Sequence, residues 1–382
     1  MKTAGLFAGI GGVELGLVSA GAEAVLFAEN WDPAAAVLRQ RFPDVPNVGD
    51  VRSLRSLPAD VDIVTAGFPC QDLSQAGRTA GIDGTKSGLV GEVFRLLDTA
   101  NPRFVVLENV SFMLSLDSGS AMERLVRAFE DRGFHWAYRV VNSLAFVPQR
   151  RERVFFVASR TENPADIIFA DESTFSPPKT TLASHAHGFY WTEGVRGLGW
   201  APDSVPTLKN GSTIGIASPP AILMPDGLIV TPDIRDAERL QGFPADWTKP
   251  AETVGRASWR WSLVGNAVTV PVAGWLGRNL FAPREAFKQH RIGFDAIGRW
   301  PRAACRIDGR RFAVAASEFP VTQPRASLVD FLEFSGKPLS ERAALGFLAR
   351  TRRSKLRFVE GFQDAVARYV RSMHGDFRTA AE

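Results

Sequence analysis

Short hydrophobic runs recur along the first 160 residues, and helical or glycine-rich segments separate them. Continuous or alternating apolar runs of this length are typical of strands buried in a sheet. The runs cover residues 3–7, 24–28, 61–66, 104–107, 138–141 and 154–158. Strands that alternate with helices in this way predict an α/β fold.

The pattern changes after residue 160. In residues 161–230, Pro, Gly, Ser and Thr become frequent, the periodicity is lost and aromatic residues stand among polar ones, which predicts a loop-rich insertion. A helical pattern returns at 233–240, and a final helix is expected over 263–280. The block 285–382 differs again, with short strands near 305–315 followed by two helices rich in arginine.

Cys70 lies in the octapeptide 67–74 (GFPCQDLS), directly after the buried run 61–66. Gly67 and Pro69 favour a turn there, and strand ends of this kind carry the chemistry of open α/β proteins. A free cysteine is otherwise often a compact buried hydrophobe. This segment alone supports a reactive thiol and a structural one equally.

A glycine turn, residues 8–12 (AGIGG), joins the first predicted strand to a helix. Such a turn lets the backbone approach a nucleotide-like ligand, although its spacing departs from G-x-G-x-x-G and no P-loop Gly-Lys-Ser/Thr follows. Glu29 ends the second strand, where it could accept hydrogen bonds from a ribose, while Asp32 could cap the helix that starts at Pro33. Asp50 could face an adenine amino group or simply cap a turn.

Charged residues also stand beside two later strands. Glu108 follows the run 104–107, and a carboxylate at that position is unfavourable unless it is paired or used. The cluster 149–153 (QRRER) enters a core strand, and alternation would place Arg151 and Arg153 on the same face. Such clusters are usually solvated, but a position before a core strand favours a function.

Composition narrows the class of protein. The chain has 382 residues, 45% hydrophobic and 23% charged, which suits a large globular domain with a smaller one. A net charge of +4, rich in arginine, suits an anionic partner. Two cysteines, Cys70 and Cys305, exclude a disulfide framework, and the five histidines show no metal-ligand spacing, so no metal is expected. With no signal peptide or bilayer-spanning run visible, we expect a cytoplasmic protein with no membrane partner.

Six segments agree in type, order and approximate spacing with the motifs of one family. The chain resembles the C5-cytosine DNA methyltransferases, of the bacterial restriction-modification type, over about residues 1–160 and 205–280. The matching glycine loop, nucleophile loop, acidic motif, basic motif, turn and last motif are Leu6–Gly12, Gly67–Ser74, Glu108–Val110, Gln149–Arg153, Gln241–Pro244 and Gly265–Val268. Each motif alone is weak, but six in this order are specific.

The resemblance implies a Rossmann-like sheet of the S-adenosylmethionine-dependent methyltransferase kind and a known chemistry. The Cys70 thiolate would attack C6 of cytosine and so make C5 nucleophilic. Glu108 would contact N3 and the amino group of the base. Arg151 and Arg153 would hold the base carbonyl and organise Cys70 and Glu108.

S-adenosylmethionine would supply the methyl group. The resemblance places its ribose on Glu29, but the family's ribose carboxylate commonly stands two residues before the following Asp, whereas Glu29 stands three before Asp32. Glu29 and Asn30 therefore remain alternatives. The expected cofactor contacts are Phe7, Ala8, Gly9, Ile10, Gly11, Gly12, Glu29, Asn30, Trp31, Asp50, Val51, Phe68, Pro69, Leu89, Asn266, Ala267 and Val268.

The expected partner is double-stranded DNA, from which the target base must be flipped. The glycine-rich loop 77–91 would close over the base, and the insertion 165–230 would read the major groove through 188–200 or 209–213. The segment 206–208 resembles a family position that steadies the backbone of the flipped nucleotide. The expected DNA contacts are Gln71, Ser74, Arg196, Thr207 and Lys209.

The predicted organisation is a catalytic domain over 1–164 and 231–284, a small loop-rich target-recognition region over 165–230 and a basic accessory block over 285–382. Relatives that methylate tRNA carry a Cys-Phe-Thr signature that this chain lacks. A DNA-binding protein without catalysis is disfavoured by the intact motif residues, and a fused nuclease would need clustered acidic ligands in the last block. We expect a monomer, and a cognate restriction endonuclease, if present, would act separately.

Overall fold

The computed structural model describes residues 1–68, 88–177, 179–195, 199–209, 211, 219–287, 291–294, 300–322 and 324–379, with side chains as far as residue 373. The chain divides into two compact units. The first comprises Met1–Asn142, Glu152–Phe175 and Ala267–Thr322. The second comprises Ser143–Arg151, Ser176–Asn266 and Gln323–Glu382.

The strands within the described ranges are short and largely buried. They are β1 Lys2–Leu6, β2 Glu23–Ala28, β3 Ile63–Ala66, β4 Phe104–Val110, β5 His135–Asn142, β6 Gln149–Arg150, β7 Glu152–Ser159, β8 His187–Phe189, β9 Trp200–Pro202, β10 Val205–Pro206, β11 Ala221–Leu223, β12 Ile229–Thr231, β13 Arg291–Gly293, β14 Ala303–Ile307, β15 Arg310–Val314 and β16 Lys337–Pro338.

The α-helices in the same ranges are mostly of two to five turns. They are α1 Gly12–Ser19, α2 Asp32–Arg41, α3 Leu89–Leu97, α4 Ser120–Glu130, α5 Ala165–Ile168, α6 Ile234–Leu240, α7 Trp259–Asn266, α8 Val270–Phe281, α9 Leu328–Phe331, α10 Glu341–Thr351 and α11 Phe362–Thr379. Single turns of 3₁₀ helix cover Val51–Ser53, Ser111–Leu114, Leu116–Gly119, Ser143–Ala145 and Lys249–Thr253.

The described strands of the first unit form one mixed sheet, in the order β13-β15-β14-β5-β7-β4-β3-β1-β2. Strands β2, β1, β3 and β4 run parallel, and every pair from β4 to β13 is antiparallel. The chain leaves β1 for β2 on one side and returns to β3 on the other, so the carboxyl ends of β1 and β3 form a topological switch point, where ligands bind in open α/β sheets. The predicted α/β, Rossmann-like fold is confirmed.

Helices α1 and α8 of this unit pack closely because Gly16 has no side chain. A Cβ at Gly16 would stand 2.5 Å from the Cβ of Ala273 and 2.7 Å from the backbone of Gly274 and Val270. Real Cβ atoms do not approach other carbon atoms so closely, so an alanine would push the helices apart. Glycine at this position therefore lets α1, the helix that follows the glycine turn, pack directly against α8.

The second unit contains an antiparallel sheet in the order β16-β12-β11-β8-β9 and a parallel pair, β10-β6. Its sheet is covered by α10 and α11, through a cluster in which Phe189 stacks on Phe347 with ring centroids 4.2 Å apart. A second cluster joins Leu208, Leu240 and Val264. This unit has its own cores despite the loop-rich sequence of the insertion.

The division of the chain differs from the predicted segments. Residues 285–322 belong to the first unit, where β14 pairs with β5, while 323–382 belong to the second, where β16 pairs with β12. The last block is therefore divided between the two units. Each sheet offers an edge strand, β5 in one and β12 in the other, and a different part of the block pairs with each. Residues 231–266 also group with the second unit.

Two local predictions also need correction. The helix predicted over 263–280 is two helices, α7 and α8, because Pro271 in the first turn of α8 cannot continue a preceding helix. Asp32 was expected to cap α2, but Trp31 occupies the N-cap and Asp32 is the first helical residue. Its carboxylate lies in the first turn, where negative charge is favourable. No helix in the described ranges is long and apolar enough to cross a membrane.

Candidate active site

The candidate site lies at the carboxyl ends of β1, β3 and β4. Leu6 pairs with Ala66, and Ala66 pairs with Leu107, so the next residues of the three strands, Phe7, Gly67 and Glu108, come side by side, with Glu108 still paired to β7. A Cβ placed on Gly67 would lie 3.8 Å from Oε2 of Glu108 and 3.9 Å from the carbonyl oxygen of Phe7. The sheet therefore brings together the glycine turn, the acidic motif and the residue from which the cysteine loop begins.

Glu108 is paired with Arg153. The guanidinium Nε lies 3.0 Å from Oε1 of Glu108, with only 11% of the Glu108 side chain and 15% of the Arg153 side chain exposed. Antiparallel pairing of β4 with β7 places Arg153 opposite Val110 and so fixes this contact. Burial lowers the pKa of Arg153, and the Glu108 carboxylate opposes that shift. A buried ion pair of this kind holds the carboxylate in one orientation.

Asn109 connects the acidic motif to the cysteine loop. Its side-chain amide donates to the carbonyl oxygen of Phe68 at 3.0 Å, and its own oxygen accepts from the N–H of Val110 at 2.8 Å. Phe68 is 3% exposed and packs in the hydrophobic core of the first unit, here called the main core, with Leu6, Ala66 and Leu107. The start of the loop is therefore anchored at the end of β4, a role for Asn109 that its place in the motif does not reveal.

Cys70 itself lies outside the described residues, as do Pro69, Gln71 and Ser74. The other cysteine, Cys305, is completely buried in β14, and burial raises the pKa of its thiol to about 11. A buried thiol of that kind is inert at neutral pH. Of the two cysteines, Cys70 remains the candidate nucleophile.

The glycine turn adopts the conformation that its glycines permit. Gly9 and Gly11 have φ of 56° and 76°, and Phe7 also lies in the left-handed region with φ 55°. The N–H of Phe7 donates to Ala28 at 2.8 Å, and Gly11 is the N-cap of α1. A non-glycine residue held at positive φ is strained, and such strain clusters at binding sites.

Glu29 is bound to this turn. Its Oε2 accepts from the N–H of Gly9 and its Oε1 from the N–H of Trp31, both at 2.8 Å. Burial raises the pKa of the Glu29 carboxyl, and the Trp31 and Gly9 donors oppose that shift. Asn30 is exposed. Of the two alternatives for a ribose contact, the geometry favours Glu29.

Asp50 caps a turn, one of the two roles that its position allowed. Its Oδ1 accepts from the backbone N–H of Arg52 at 2.9 Å, and the Arg52 side chain contacts both carboxylate oxygens. Hydrogen bonding from the Arg52 side chain lowers the pKa of Asp50 to about 2. Neighbouring Val51 is 3% exposed and belongs to the main core, and Leu89, the first residue of α3, packs against the same core.

These residues fit a nucleoside cofactor. A Cβ on Gly9 or on Gly49 would meet no described atom within 4 Å, so the chain leaves open space next to both glycines. The amide of Asn47 accepts from the N–H groups of Glu29 and Gly49, which joins the two positions. Open space, a carboxylate and a helix N-terminus at one switch point suit S-adenosylmethionine.

In the second unit, Arg151 is a buried donor. It is 1% exposed, and its Nη1 and Nη2 donate to the carbonyl oxygens of Leu208 at 3.0 Å and Gly265 at 3.1 Å. The motif segments at 149–153, 206–208 and 265–268 therefore meet at this guanidinium. The two arginines thus have different partners, a carboxylate for Arg153 and two backbone carbonyls for Arg151, and the expectation that both hold the base carbonyl stays a prediction.

Gln149 and Gln241 complete this network, although their motifs alone suggested no role for either side chain. Gln149 donates to the carbonyl of Leu240 at 2.8 Å and accepts from the N–H of Leu208 at 2.9 Å. Gln241 donates to the carbonyl of Val264 at 2.9 Å, and both glutamines are completely buried. The signal in the sequence was a glutamine inside a charged motif and another inside a glycine-containing turn. A buried side-chain amide must find hydrogen-bond partners, so such a residue indicates a buried network.

The expected DNA contacts of the second unit have partners of their own. The Thr207 hydroxyl donates to the carbonyl of Arg150 at 2.8 Å, and the Tyr190 hydroxyl donates to the carbonyl of Thr207 at 2.7 Å. The Nζ of Lys209 lies 3.0 Å from Glu193 and 4.5 Å from the ring centroid of Tyr190. Glu193 and Tyr190 thus fix the amino group of Lys209, and about a third of its side-chain surface is exposed. Arg196 lies outside the described residues.

The last motif spans the boundary between the units. Asn266 ends α7 in the second unit and is exposed, whereas Ala267 and Val268 belong to the first unit and are 8% exposed. The three were expected to contact the cofactor together. That expectation stays a prediction.

Comparison with known proteins decides the family. A model of the C-5 cytosine-specific DNA methylases matches residues 1–193. The type II methyltransferase M2.BsuMI of Bacillus subtilis strain 168 is 44% identical over 366 residues, which is 92% of this chain and 94% of that protein. The chain belongs to the C-5 cytosine-specific DNA methylase family.

Two further relatives fit this assignment. The type II methyltransferase M.Bsp6I of Bacillus sp. strain RFL6 is 28% identical over 318 residues, covering 74% of this chain and 98% of that protein. A solved methyltransferase of Entamoeba histolytica, EhMeth, aligns with a TM-score of 0.51 over 74% of this chain and 98% of its own, at 14% identity, which shows the fold alone. The chain is therefore a DNA cytosine-5-methyltransferase of the restriction-modification type, as predicted.

Proposed function

We propose that this DNA methyltransferase uses Cys70 as a transient covalent nucleophile and S-adenosylmethionine as methyl donor. The observation that carries the proposal is the Glu108–Arg153 pair beside Gly67, three residues before Cys70. A thiol that must attack a ring carbon needs a carboxyl group to bind the ring's polar edge. The pair supplies that group at the start of the cysteine loop.

In the proposed reaction, Cys70 forms a bond to C6 of a cytosine flipped out of duplex DNA. Glu108 binds N3 and the amino group, so it stabilises the charge that moves onto the ring during attack. Arg153 holds Glu108 and offers further donors toward the base carbonyl. Once C5 carries the transferred methyl group, loss of its proton to a base would break the Cys70–C6 bond, restore the aromatic ring and release Cys70 as a thiolate.

The cofactor site uses residues of the first unit. Residues 7–12 would hold the methionine end against the glycine turn, and Glu29 would accept hydrogen bonds from the ribose hydroxyls. Trp31 would cover the adenine. When bound, S-adenosylmethionine supplies an electrophilic methyl group to C5.

Target recognition is assigned to residues 165–230, and a short recognition site is expected because the region is short. Buried Arg151 supports this assignment, since it fixes the backbone at Leu208 beside Thr207 and Lys209. Monomeric state, cytoplasmic location and a separately acting cognate endonuclease stay predictions.

The test compares the two cysteines. Cys70→Ala should abolish methylation of duplex DNA, measured by bisulfite sequencing of DNA from expressing cells, while DNA binding persists. Cys305→Ala is the matched control and should retain activity, because that thiol is buried and inert.

A duplex with 5-fluorocytosine at the target sharpens the test. Fluorine cannot leave C5 as the proton does, so wild type and Cys305→Ala should be trapped covalently and Cys70→Ala should not. Methylation by Cys70→Ala, or its trapping on this DNA, would refute the assignment of the nucleophile.

A further inference from the structure

One charged surface of the second unit has no part in the site described above. It consists of five exposed cations on and after α10, which we call the basic segment: Arg342, Arg352, Arg353, Lys355 and Arg357. Among the ion pairs between described residues, none involves any of these five. Between 341 and 358 the chain carries six cations and one carboxylate, Glu341.

The basic segment is attached to the strand that begins the predicted reader at 188–200. Ala344, Phe347 and Leu348 on the other face of α10 are buried in one cluster with Phe189 of β8, on which Phe347 stacks. Arg350 donates to the backbone carbonyl of Trp191. The helix thus uses its apolar face and one arginine to dock on 188–191 and leaves its remaining cations outside.

This arrangement is unfavourable for the protein alone. Like charges so close in sequence repel one another, and none of the ion pairs between described residues neutralises any of the five. A partner with regularly spaced negative charge would relieve the repulsion, and duplex DNA carries one phosphate charge per about 1.7 Å of its axis. An interfacial membrane helix would need a broad exposed apolar face, but the apolar face of α10 is used in the core.

We propose that the basic segment binds phosphates of the DNA that flanks the methylated site. The inference rests on the proposed recognition role of 165–230, and it gives the last 60 residues a role in affinity and none in base readout. Phosphate contacts position a protein on DNA without carrying sequence information.

The experiment uses full-length protein with two matched triple variants. One removes three cations of the segment: Arg352→Gln, Arg353→Gln and Arg357→Gln. The control removes three exposed cations of the first unit: Arg39→Gln, Arg55→Gln and Arg310→Gln. A third variant, Arg352→Lys, Arg353→Lys and Arg357→Lys, keeps the charge. Thermal melting confirms that all are folded.

The measurement is the dissociation constant for a duplex containing the methylated site, by fluorescence anisotropy over a series of salt concentrations. Each lost phosphate contact should lower the steepness of log K against log salt by about 0.9, so the segment variant should lose up to about 2.7. Its affinity at low salt should fall roughly tenfold or more. The lysine variant should keep the wild-type slope, and the control should change it little.

Several results would overturn the proposal: an unchanged slope in the segment variant, an equal loss in the control, or a change in the methylated sequence read by bisulfite sequencing. Loss of binding to a structured RNA without loss for duplex DNA would assign the surface to RNA and overturn it as well. If wild type methylated no duplex cytosine yet the segment variant still flattened the slope, the proposed function would fail and the phosphate surface would stand.

Discussion

The strand ends of the first unit and the β6 region of the second both bury an arginine from the motif 149–153, but they satisfy it differently. Arg153 faces the carboxylate of Glu108, and part of each side chain is still exposed. Arg151 is 1% exposed and donates to two backbone carbonyls. One arginine controls a charge, and the other fills hydrogen-bonding positions of the backbone.

The difference in partners predicts that two arginines of one motif have different roles. A guanidinium next to a carboxylate changes the charge and orientation of a group that can act on substrate. A guanidinium next to carbonyls holds segments together, and its removal leaves buried acceptors without donors. Substitution at position 153 should therefore change catalysis, and substitution at position 151 should change stability.

The largest effect is expected at Arg153. Arg153→Met should lower the single-turnover rate of methyl transfer roughly 10²- to 10³-fold, because Glu108 loses the group that orients it. Arg153→Lys should recover part of the rate, and DNA affinity should stay close to wild type. A variant that kept its rate and lost only stability would show that the pair is structural.

Arg151→Met should mainly destabilise the protein. Two buried carbonyl groups lose their donors, at about 1–3 kcal/mol each, so the free energy of unfolding in urea should fall by roughly 2–6 kcal/mol. The control is Arg150→Met, whose side chain is exposed and should matter by less than about 0.5 kcal/mol. Full stability of Arg151→Met with loss of activity would support the catalytic role that the resemblance implies.

Packing in the first unit can be tested at Gly16. Gly16→Ala should reduce the free energy of unfolding by about 1–3 kcal/mol, because the added Cβ overlaps α8. Gly194→Ala is the matched control, since its Cβ would meet no described atom within 4 Å. Equal stability of the two variants would mean that α1 and α8 move apart without cost.

The smallest effect concerns Glu14 of α1, a buried carboxyl that contrasts with the satisfied amides of the second unit. Thr65 donates to its Oε1, at 2.5 Å, and its Oε2 has no hydrogen-bond partner among the described residues. Burial raises the pKa of Glu14. Burial therefore disfavours the charged form of Glu14 in the folded protein.

The pH dependence follows from that direction. The contribution of Glu14 is fully present below its unfolded pKa, about 4.3, and is lost as pH rises through the raised folded pKa. The side chain of Glu14→Gln does not titrate. The free energy of unfolding in urea of this variant should therefore rise relative to that of wild type as pH increases. A constant difference across pH would mean that Glu14 stays in one protonation state.

Much of this structure could be predicted from local pattern. The runs at 61–66 and 104–107 become β3 and β4, and the runs near 138–141 and 154–158 become β5 and β7. The sequence assigned Cys305 no role, and its complete burial in β14 makes it a structural thiol. The pairing partner of Arg153 was expected from the resemblance, and the register of β4 with β7 supplies the contact.

The sequence by itself determined the elements and the family, because apolar periodicity and short motifs are encoded within a few residues of one another. Only the tertiary structure decided which motif residues meet. The split of 285–382 between two sheets, the different partners of Arg151 and Arg153, and the link from Asn109 to Phe68 depend on contacts between residues far apart in the chain, 41 positions for Asn109 and Phe68 and 114 for Arg151 and Gly265. Such contacts follow from which sheet edges and buried polar groups need partners, and no local pattern specifies that.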